Sequence, residues 1–346
     1  MHPTGQNYPT RRTLTRRTLL FCFLSIPVGQ VTLASQCGDR YRSALEVINI
    51  SPTSQSAVPQ NYSYQLWVNG RVRVLINPGS GSYHGFLQSG ANIHDLKTIL
   101  FTRLDASRSN DLPIFVAASQ ASGRRETLSV FGPDGNKYMP STVNFVRTLF
   151  DQKRGAWRHL GDVISPLGYQ GYKLKAHNAG SGKRPGQRPG KPGENLFSVL
   201  NDPEYQLQAT DSDNRFMPTL SWRLGTDNNS VTLVDDSANV SEKLETLASG
   251  TGLLLAKPHS EKQTSQPVLT ANEIGRLAYR SGTRQLHLVY PSTTDSATKN
   301  AHLALVKNKY AGLVSFAGNN DCLPISPTNS PDTPTLKQSS DLPHSR

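Results

Sequence analysis

One short segment combines the ionisable side chains most able to form a site. Residues 102–109 read TRLDASRS, which places Arg103 and Arg108 on either side of Asp105. A guanidinium group stays protonated and offers five N–H donors, so it binds carboxylates, phosphates or sulfates and cannot ligate a metal ion. Two such groups can pair with carboxylates in an ionic cluster, or they can line a pocket for an anion. The segment leaves both chemistries open.

Further candidates follow two later apolar runs. Asp235 and Asp236 come directly after the run VTLV at 231–234, and Tyr290 ends the run LHLVY at 286–290. The two aspartates and Asp105 could form an oxygen site for Mg²⁺ or Ca²⁺, although two nearby arginines would repel such a cation. Tyr290 or Ser107 could act as a nucleophile only with an adjacent base, and the sequence places none beside them. The nine histidines include no His-x-His pair.

Short β-type runs and helical stretches must position these residues. Two runs, 64–68 and 71–76, flank Asn69-Gly70, a pair typical of a tight β-hairpin, and 220–224 with 231–234 form a second predicted hairpin. Strands follow at 98–102, 128–131, 252–256 and 285–290, and helices at 111–121, 141–150, 240–247 and 271–280. Each half of the chain has a hairpin first and strand–helix units after it. This order predicts a layered α/β sandwich with mixed sheets.

The segments around these runs resemble the ribonuclease Z and arylsulfatase-like branch of the metallo-β-lactamase superfamily. The resemblance covers residues 44–322 and rests on five stretches: 75–79 (LINPG), 111–113 (DLP), 131–135 (FGPDG), 231–237 (VTLVDDS) and 286–290 (LHLVY). It implies a four-layer αββα sandwich for a domain at residues 35–325.

The metal ligands of the family's motif, Thr-His-x-His-x-Asp-His, are replaced by other residue types in this chain. Its histidines and aspartate bind two zinc ions that activate water. The resemblance places Arg103, Asp105, Ser107 and Arg108 at those ligand positions, and Tyr290 at the last histidine. Asp236 is the one bridging carboxylate that the resemblance retains.

The resemblance therefore implies a degenerate, zinc-free pseudoenzyme. No catalytic residue, metal or cofactor is expected, and the expected role is binding or scaffolding, with a small anion bound by Arg103 and Arg108. Those arginines could instead pair with Asp105 and Asp236. The alternative function is an active hydrolase of phosphate or sulfate esters with a rebuilt site.

Residues 1–34 have the pattern of an export signal. Arg11, Arg12, Arg16 and Arg17 precede an apolar run at 19–28 that is too short to cross a bilayer, and Ala34 is a plausible cleavage position. The twin-arginine route is favoured over the general secretory route. Cleavage would lower the formal net charge from +12 to +8. The expected location is periplasmic or secreted.

Export also bears on the cysteines and the partners. In an oxidising compartment, Cys37 and Cys322 are expected to form a disulfide that joins the two ends of the domain, rather than Cys37 carrying a lipid. Residues 176–194 are rich in Lys, Arg, Gly and Pro, and predict a flexible basic loop; 326–346 predict a disordered tail. The loop has no aromatic residue, so nucleic acid is not the expected partner. No transmembrane helix is expected in the mature chain.

Overall fold

Two mixed β-sheets form the centre of the molecule. The computed structural model describes residues 45–50, 62–168, 171–179, 197–212, 217–235, 239–259, 268–290, 293–316 and 322–325. Within these ranges each sheet has seven strands. The first sheet, in spatial order, contains β14 (Cys322–Ile325), β1 (Leu45–Asn49), β2 (Tyr64–Val68), β3 (Arg71–Ile76), β4 (Thr98–Leu100), β5 (Leu128–Gly132) and β6 (Leu174–Asn178). The second contains β13 (Leu313–Phe316), β12 (Gln285–Leu288), β11 (Leu253–Ala256), β10 (Ser230–Val234), β9 (Leu220–Gly225), β8 (Gln206–Asp211) and β7 (Phe197–Asn201).

The two sheets repeat one topology. In the first sheet β14, β1, β2 and β3 pair antiparallel, and β3 to β6 pair parallel. In the second, β7 to β10 pair antiparallel and β10 to β13 pair parallel. Asn69 and Gly70 both have positive φ angles, 53° and 71°, as the tight turn between β2 and β3 requires. The predicted order of hairpins followed by strand–helix units is confirmed.

Helices cover the outer face of each sheet. They are α1 (Ser82–Gln88), α2 (Ala106–Ser109), α3 (Leu112–Ala121), α4 (Thr142–Phe150), α5 (Glu242–Ala248), α6 (Ala271–Arg280) and α7 (Ser296–Lys307), with 3₁₀ helices at Ile93–Asp95 and Arg158–Val163. One apolar core lies between the sheets, a second packs the first sheet against α1, α3 and α4, and a third packs the second sheet against α5, α6 and α7. The predicted four-layer αββα sandwich is therefore confirmed.

Side-chain hydrogen bonds fix where several helices begin. Ser141 and Ser241 accept from the backbone N–H three residues on, at the starts of α4 and α5. Thr270 and Glu273 form a reciprocal capping box at the start of α6. These caps make the strand–helix junctions well defined, and the site described below lies at such junctions.

One predicted boundary is wrong. Residues 176–178, expected to begin the basic loop, form the end of β6, which pairs in parallel with β5. Lys175 and His177 are exposed and alternate with Leu174 and Ala176, but this apolar–polar pattern is short and runs directly into the polar residues of the predicted loop. The predictions for residues 1–34, for 180–194 of the loop and for 326–346 lie outside the described residues. None of the described helices is long and apolar enough to span a membrane.

Candidate functional site

The candidate site lies where strands of both sheets end. Asn77 follows β3, Thr102 lies two residues beyond β4, and Asp235 follows β10. The Thr102 carbonyl accepts from the Leu220 N–H at 2.8 Å, and the Trp222 indole donates to the Phe101 carbonyl at 3.0 Å. The ends of β4 and β9 are therefore joined directly, and the residues after β4 face the residues after β10.

Arg108 is the centre of the site. Its Nε and Nη2 donate to the two carboxylate oxygens of Asp235 at 2.6 and 2.7 Å, a bidentate contact. Its Nη1 lies 3.1 Å from a carboxylate oxygen of Asp105 and 3.1 Å from the Ser107 hydroxyl. Only 2% of the side chain is exposed. The guanidinium is thus buried, and each of its three nitrogen atoms is hydrogen-bonded to a side chain of this chain.

Asp105 links the second arginine to the same cluster. One carboxylate oxygen accepts from Arg103 Nε and the other from the Ser107 hydroxyl. Burial acts to raise the pKa of Asp105, but Arg108 and Arg103 outweigh it and hold that pKa below its ordinary value. We call Arg103, Asp105, Arg108 and Asp235 the Arg108 cluster. It is formally neutral.

Thr102 and Asn77 fix Asp235 from the other side. The Thr102 hydroxyl lies 3.1 Å from the Asn77 side-chain oxygen and 2.5 Å from Asp235, so it can donate to either one. The Asn77 oxygen also accepts from the Thr102 N–H at 2.9 Å. Asn77 has a positive φ of 52°, a conformation that asparagine tolerates better than most residues. Thr102, just after β4, therefore contacts the carboxylate, and Asn77, just after β3, positions Thr102.

The structure pairs the arginines partly as predicted. The contacts of Arg103 and Arg108 with Asp105 are confirmed. Arg108 also pairs with Asp235, whereas the predicted pairing with Asp236 lies outside the described residues and stays a prediction. The strand pattern could have indicated the contact with Asp235. Val231 and Leu233 face the core between the sheets and Val234 faces the helices, so with a period of two the next inward position is 235.

Tyr290 does not join the Arg108 cluster. Its ring stacks on His302 at 5.8 Å between centroids and contacts Phe316 at 5.7 Å, in the helix-covered core of the second sheet. Leu286 and Leu288 face the same side, whereas Val289 faces inward. Burial raises the pKa of the Tyr290 hydroxyl well above its ordinary value. Tyr290 is therefore half-buried, protonated and turned away from the Arg108 cluster.

A small cavity adjoins Asp235. Its lining includes Tyr62, Tyr64, Asn77, Asp235 and Lys257, and it has room for about one water molecule. The Tyr64 hydroxyl is buried and has no hydrogen-bond partner among the described residues, and burial raises its pKa. The Lys257 ammonium lies 4.9 Å from the centre of the Tyr62 ring. A single bridging water would satisfy the Tyr64 hydroxyl.

The donors of this site do not suit a pair of zinc ions. Zinc in proteins takes thiolate, imidazole and carboxylate ligands, and a guanidinium supplies no lone pair. Arg108 already binds both carboxylates of the cluster. Among the described residues, no group of three or more His, Cys, Asp and Glu side chains is arranged to hold a metal ion. The residues present therefore fit an ion-pair network better than a metal centre.

The same contacts limit the predicted anion pocket. An anion at Arg108 would have to displace Asp235 or Asp105, both within hydrogen-bond distance of the guanidinium. Arg103 is the more accessible arginine, with 18% of its side chain exposed. Anion binding stays a prediction, and Arg103 is the residue to test.

The proposed disulfide also stays a prediction. Cys322 begins β14, which pairs antiparallel with β1, and Cys37 lies outside the described residues.

Solved structures show which fold this arrangement belongs to. The chain is similar to the metallo-β-lactamase-fold protein YhfI from Bacillus subtilis, with a TM-score of 0.58 and 14% identity over 82% of this chain and 99% of that one. It is similar to the short form of human tRNase Z, with a TM-score of 0.56 and 13% identity over 81% and 99%. Zinc-bound PqqB from Methylobacterium extorquens gives 0.52 and 12% over 80% and 99%.

Comparison of sequences alone does not detect this similarity. No family model matches the chain, and no curated protein matches it by sequence. At identities of 12–14% the structural likeness shows the fold and nothing finer. The chain adopts the metallo-β-lactamase fold.

Proposed function

We propose that this chain is a degenerate metallo-β-lactamase-fold protein that acts outside the cytoplasm by binding rather than by hydrolysis. In this proposal the Arg108 cluster stands at the strand ends where the resemblance places the metal motif. The protein uses the fold as a rigid scaffold. The export pattern of residues 1–34 supports the location.

The bidentate contact between Arg108 and Asp235 carries the proposal. At 2.6 and 2.7 Å, and with 2% and 7% of the two side chains exposed, it is a buried ion pair. Removing one partner of such a pair leaves an uncompensated buried charge, so the two residues depend on each other. Because Arg108 binds both carboxylate oxygens of Asp235, that carboxylate is not available to bind a metal ion.

Metal content tests the proposal directly. The protein should be purified without chelator or immobilised metal, and its bound metals measured by mass spectrometry before and after dialysis against zinc. We expect well below one ion per chain in both samples. One or two tightly held ions per chain would refute the proposal, and esterase assays on phosphate and sulfate esters would then follow.

The anion prediction needs a separate measurement. We expect sulfate or phosphate to raise the melting temperature of the protein relative to chloride at equal ionic strength, because guanidinium groups bind these oxyanions well. Because these salts also stabilise folded proteins in general, the Arg103→Gln variant should keep a smaller shift than Arg125→Gln, which removes an exposed arginine elsewhere and should keep the full shift. An equal shift in both variants would exclude Arg103 as the anion site.

A further inference from the structure

The turn after α4 carries an exposed group of cations. Arg147 is in the last turn of α4, and Lys153, Arg154 and Arg158 follow it; all four are exposed. Residues 147–158 contain these four basic side chains and one carboxylate, Asp151. We call Arg147, Lys153, Arg154, Trp157 and Arg158 the α4 patch.

The nearby acids do not neutralise the patch. Asp151 accepts from the backbone N–H groups of Lys153 and Arg154 at 2.9 and 2.8 Å, and these hydrogen bonds lower its pKa. Asp162 accepts from the Gln152 side chain at 2.6 Å. Both carboxylates are used to shape the turn, and the four cationic side chains form no ion pair among the described residues, although the charges of Arg154 and Lys153 also help to lower the pKa of Asp151. The segment 147–158 therefore keeps a formal charge of +3, from four cations and Asp151.

Backbone hydrogen bonds hold the patch in one place. The N–H groups of Ala156 and Trp157 donate to the carbonyls of Thr148 and Leu149 at 3.1 and 2.7 Å, so the chain folds back on the end of α4. A side chain at Gly155 would meet Asp151 backbone atoms at 2.5 and 2.7 Å, which explains the glycine. Arg147 and the residues 153–158 thus belong to one braced surface.

Two apolar side chains are exposed on the segment between α4 and β6. Trp157 is 39% exposed and Leu167 is 78% exposed. The turn that carries Leu167 is held by the Lys173 ammonium, which donates to the carbonyls of Ser165 and Gly168 at 2.8 and 2.9 Å.

Asp162 links the turn of Leu167 to the turn after α4, because its side chain accepts from Gln152 and its carbonyl accepts from the Ser165 N–H. An exposed leucine on a turn connected in this way to an exposed indole and several cations has the composition of a surface that enters the headgroup region of a membrane.

We propose that the α4 patch, together with Leu167, binds membranes whose surface carries anionic phospholipid headgroups. The cations neutralise phosphates, and Trp157 and Leu167 enter the boundary between headgroups and acyl chains. Single-stranded nucleic acid is the less suitable partner, because its binding surfaces use several aromatic side chains on which successive bases stack. This patch has one indole. The interaction is independent of the Arg108 cluster.

Vesicle binding by the full chain tests the charge component. The probes are vesicles of phosphatidylcholine alone and of phosphatidylcholine with phosphatidylglycerol. We expect binding to the anionic vesicles only, and an affinity about 30-fold lower for Arg154→Gln/Arg158→Gln, since two membrane-adjacent cations are lost. The double variant Arg125→Gln/Arg276→Gln removes the same charge from exposed positions elsewhere and should bind like the wild type. Equal loss in both variants would overturn the proposal.

Tryptophan fluorescence tests whether the patch itself meets the membrane. Of the three tryptophans, Trp67 and Trp222 are buried, at 8% and 1% exposure, so a change in emission reports on Trp157. Residues 1–34, which are themselves basic and apolar, contain no tryptophan. We expect a blue shift with the anionic vesicles that is absent in Trp157→Phe and smaller in Leu167→Ser.

Two results would overturn the proposal. Vesicle binding without the blue shift would assign membrane contact to another segment. Tighter binding to a thirty-residue oligothymidine than to the vesicles, lost in Arg154→Gln/Arg158→Gln, would assign the patch to nucleic acid.

Discussion

The two sheets are joined by an ionic cluster at each end. At the ends of β3, β4 and β10 lies the Arg108 cluster. At the starts of β3 and β4, Arg73 and Lys97 reach across to Asp202 and Glu204 in the turn between β7 and β8, with Asp95 beside them. We call this second group the Lys97 cluster. Both join cations on or next to strands of the first sheet to carboxylates that lie next to strands of the second.

Burial separates the two clusters. Arg108 and Asp235 are 2% and 7% exposed, whereas Lys97 and Glu204 are 38% and 27% exposed. Breaking a buried pair costs about 3–5 kcal/mol, but an exposed pair contributes about 0.2–1 kcal/mol because water screens it. The same kinds of side chain therefore have different consequences. Arg73 of the Lys97 cluster is also buried, at 8% exposure, so the contrast is between the Arg108–Asp235 pair and the contacts of Lys97. We expect the Lys97 contacts to tolerate change better than the Arg108–Asp235 pair does.

Replacing Arg108 should produce the largest effect. Arg108→Met leaves the buried carboxylate of Asp235 without its partner, so we expect the free energy of unfolding to fall by about 3–5 kcal/mol. Urea unfolding followed by circular dichroism measures this. Arg103→Met is the control: Arg103 is more exposed, and Asp105 keeps Arg108, so the loss should be smaller. Equal losses of unfolding free energy in the two variants would contradict the claim that burial makes the contacts of Arg108 more stabilising than those of Arg103.

The stability of the fold should also depend on pH through His287, which belongs to neither cluster. Burial lowers its pKa to about 4, from an ordinary 6.5, while its Nδ1 lies 2.8 Å from the Ser315 hydroxyl. The unfolded chain therefore takes up a proton as the pH falls below 6.5 and the folded chain does not until about pH 4. Stability is fully present above pH 6.5, and about 2 kcal/mol of it is lost by pH 5.

The His287 effect can be isolated with one variant and one control. Urea unfolding at pH 7 and pH 5 should show the loss in the wild type and in His84→Asn, which changes an exposed histidine. His287→Asn should show a much smaller difference between the two pH values. An unchanged difference in that variant would refute the assignment.

The carboxylates of the two clusters should differ in stronger acid. Burial acts to raise the pKa values of Asp105 and Glu204, but their cationic partners hold both below the ordinary value. A lowered folded-state pKa gives stability that is present above the ordinary carboxyl pKa and lost as the pH falls through the folded value. We expect Asp105→Asn to flatten the stability profile below about pH 4 more than Glu204→Gln does. The reverse order would contradict the burial argument.

The smallest effect should come from the Lys97 cluster. We expect Lys97→Met to lower the free energy of unfolding by at most about 1 kcal/mol, because the ammonium is partly exposed. Raising NaCl from about 0.1 to 1 M should remove most of this difference by screening, while the cost of Arg108→Met should persist. If the loss of unfolding free energy in Lys97→Met did not depend on salt, the Lys97 ammonium would be less exposed to water than it is in the structure.

The sequence predicted the architecture better than the site. Turn residues such as Asn69 and Gly70 act locally, so the hairpins and the layer order could be read without tertiary contacts. β6 was missed in part because its alternation, Leu174 and Ala176 against Lys175 and His177, spans only four residues before the polar loop begins. The resemblance identified Arg103, Asp105 and Arg108 as neighbours of one site.

The remaining partners depend on which way each side chain faces. Asp235 directly follows β10, and only the period of β10 tells that its side chain points between the sheets. The same reasoning places Tyr290 in the helix-covered core and away from Arg108. The roles of Thr102 and Asn77 need the parallel pairing of β3 with β4, which brings their ends together. A single residue of register separates a ligand position from a packing position.

A double-mutant cycle between Arg108 and Asp235 tests the central claim, that these residues are each other's buried partner. Urea unfolding of the wild type, Arg108→Met, Asp235→Asn and the double variant gives the coupling free energy. The contact distances of 2.6 and 2.7 Å predict a coupling of about 2–3 kcal/mol, with the double variant more stable than the sum of the single losses implies. Additive losses, within about 0.5 kcal/mol, would show that the pair does not hold this site together.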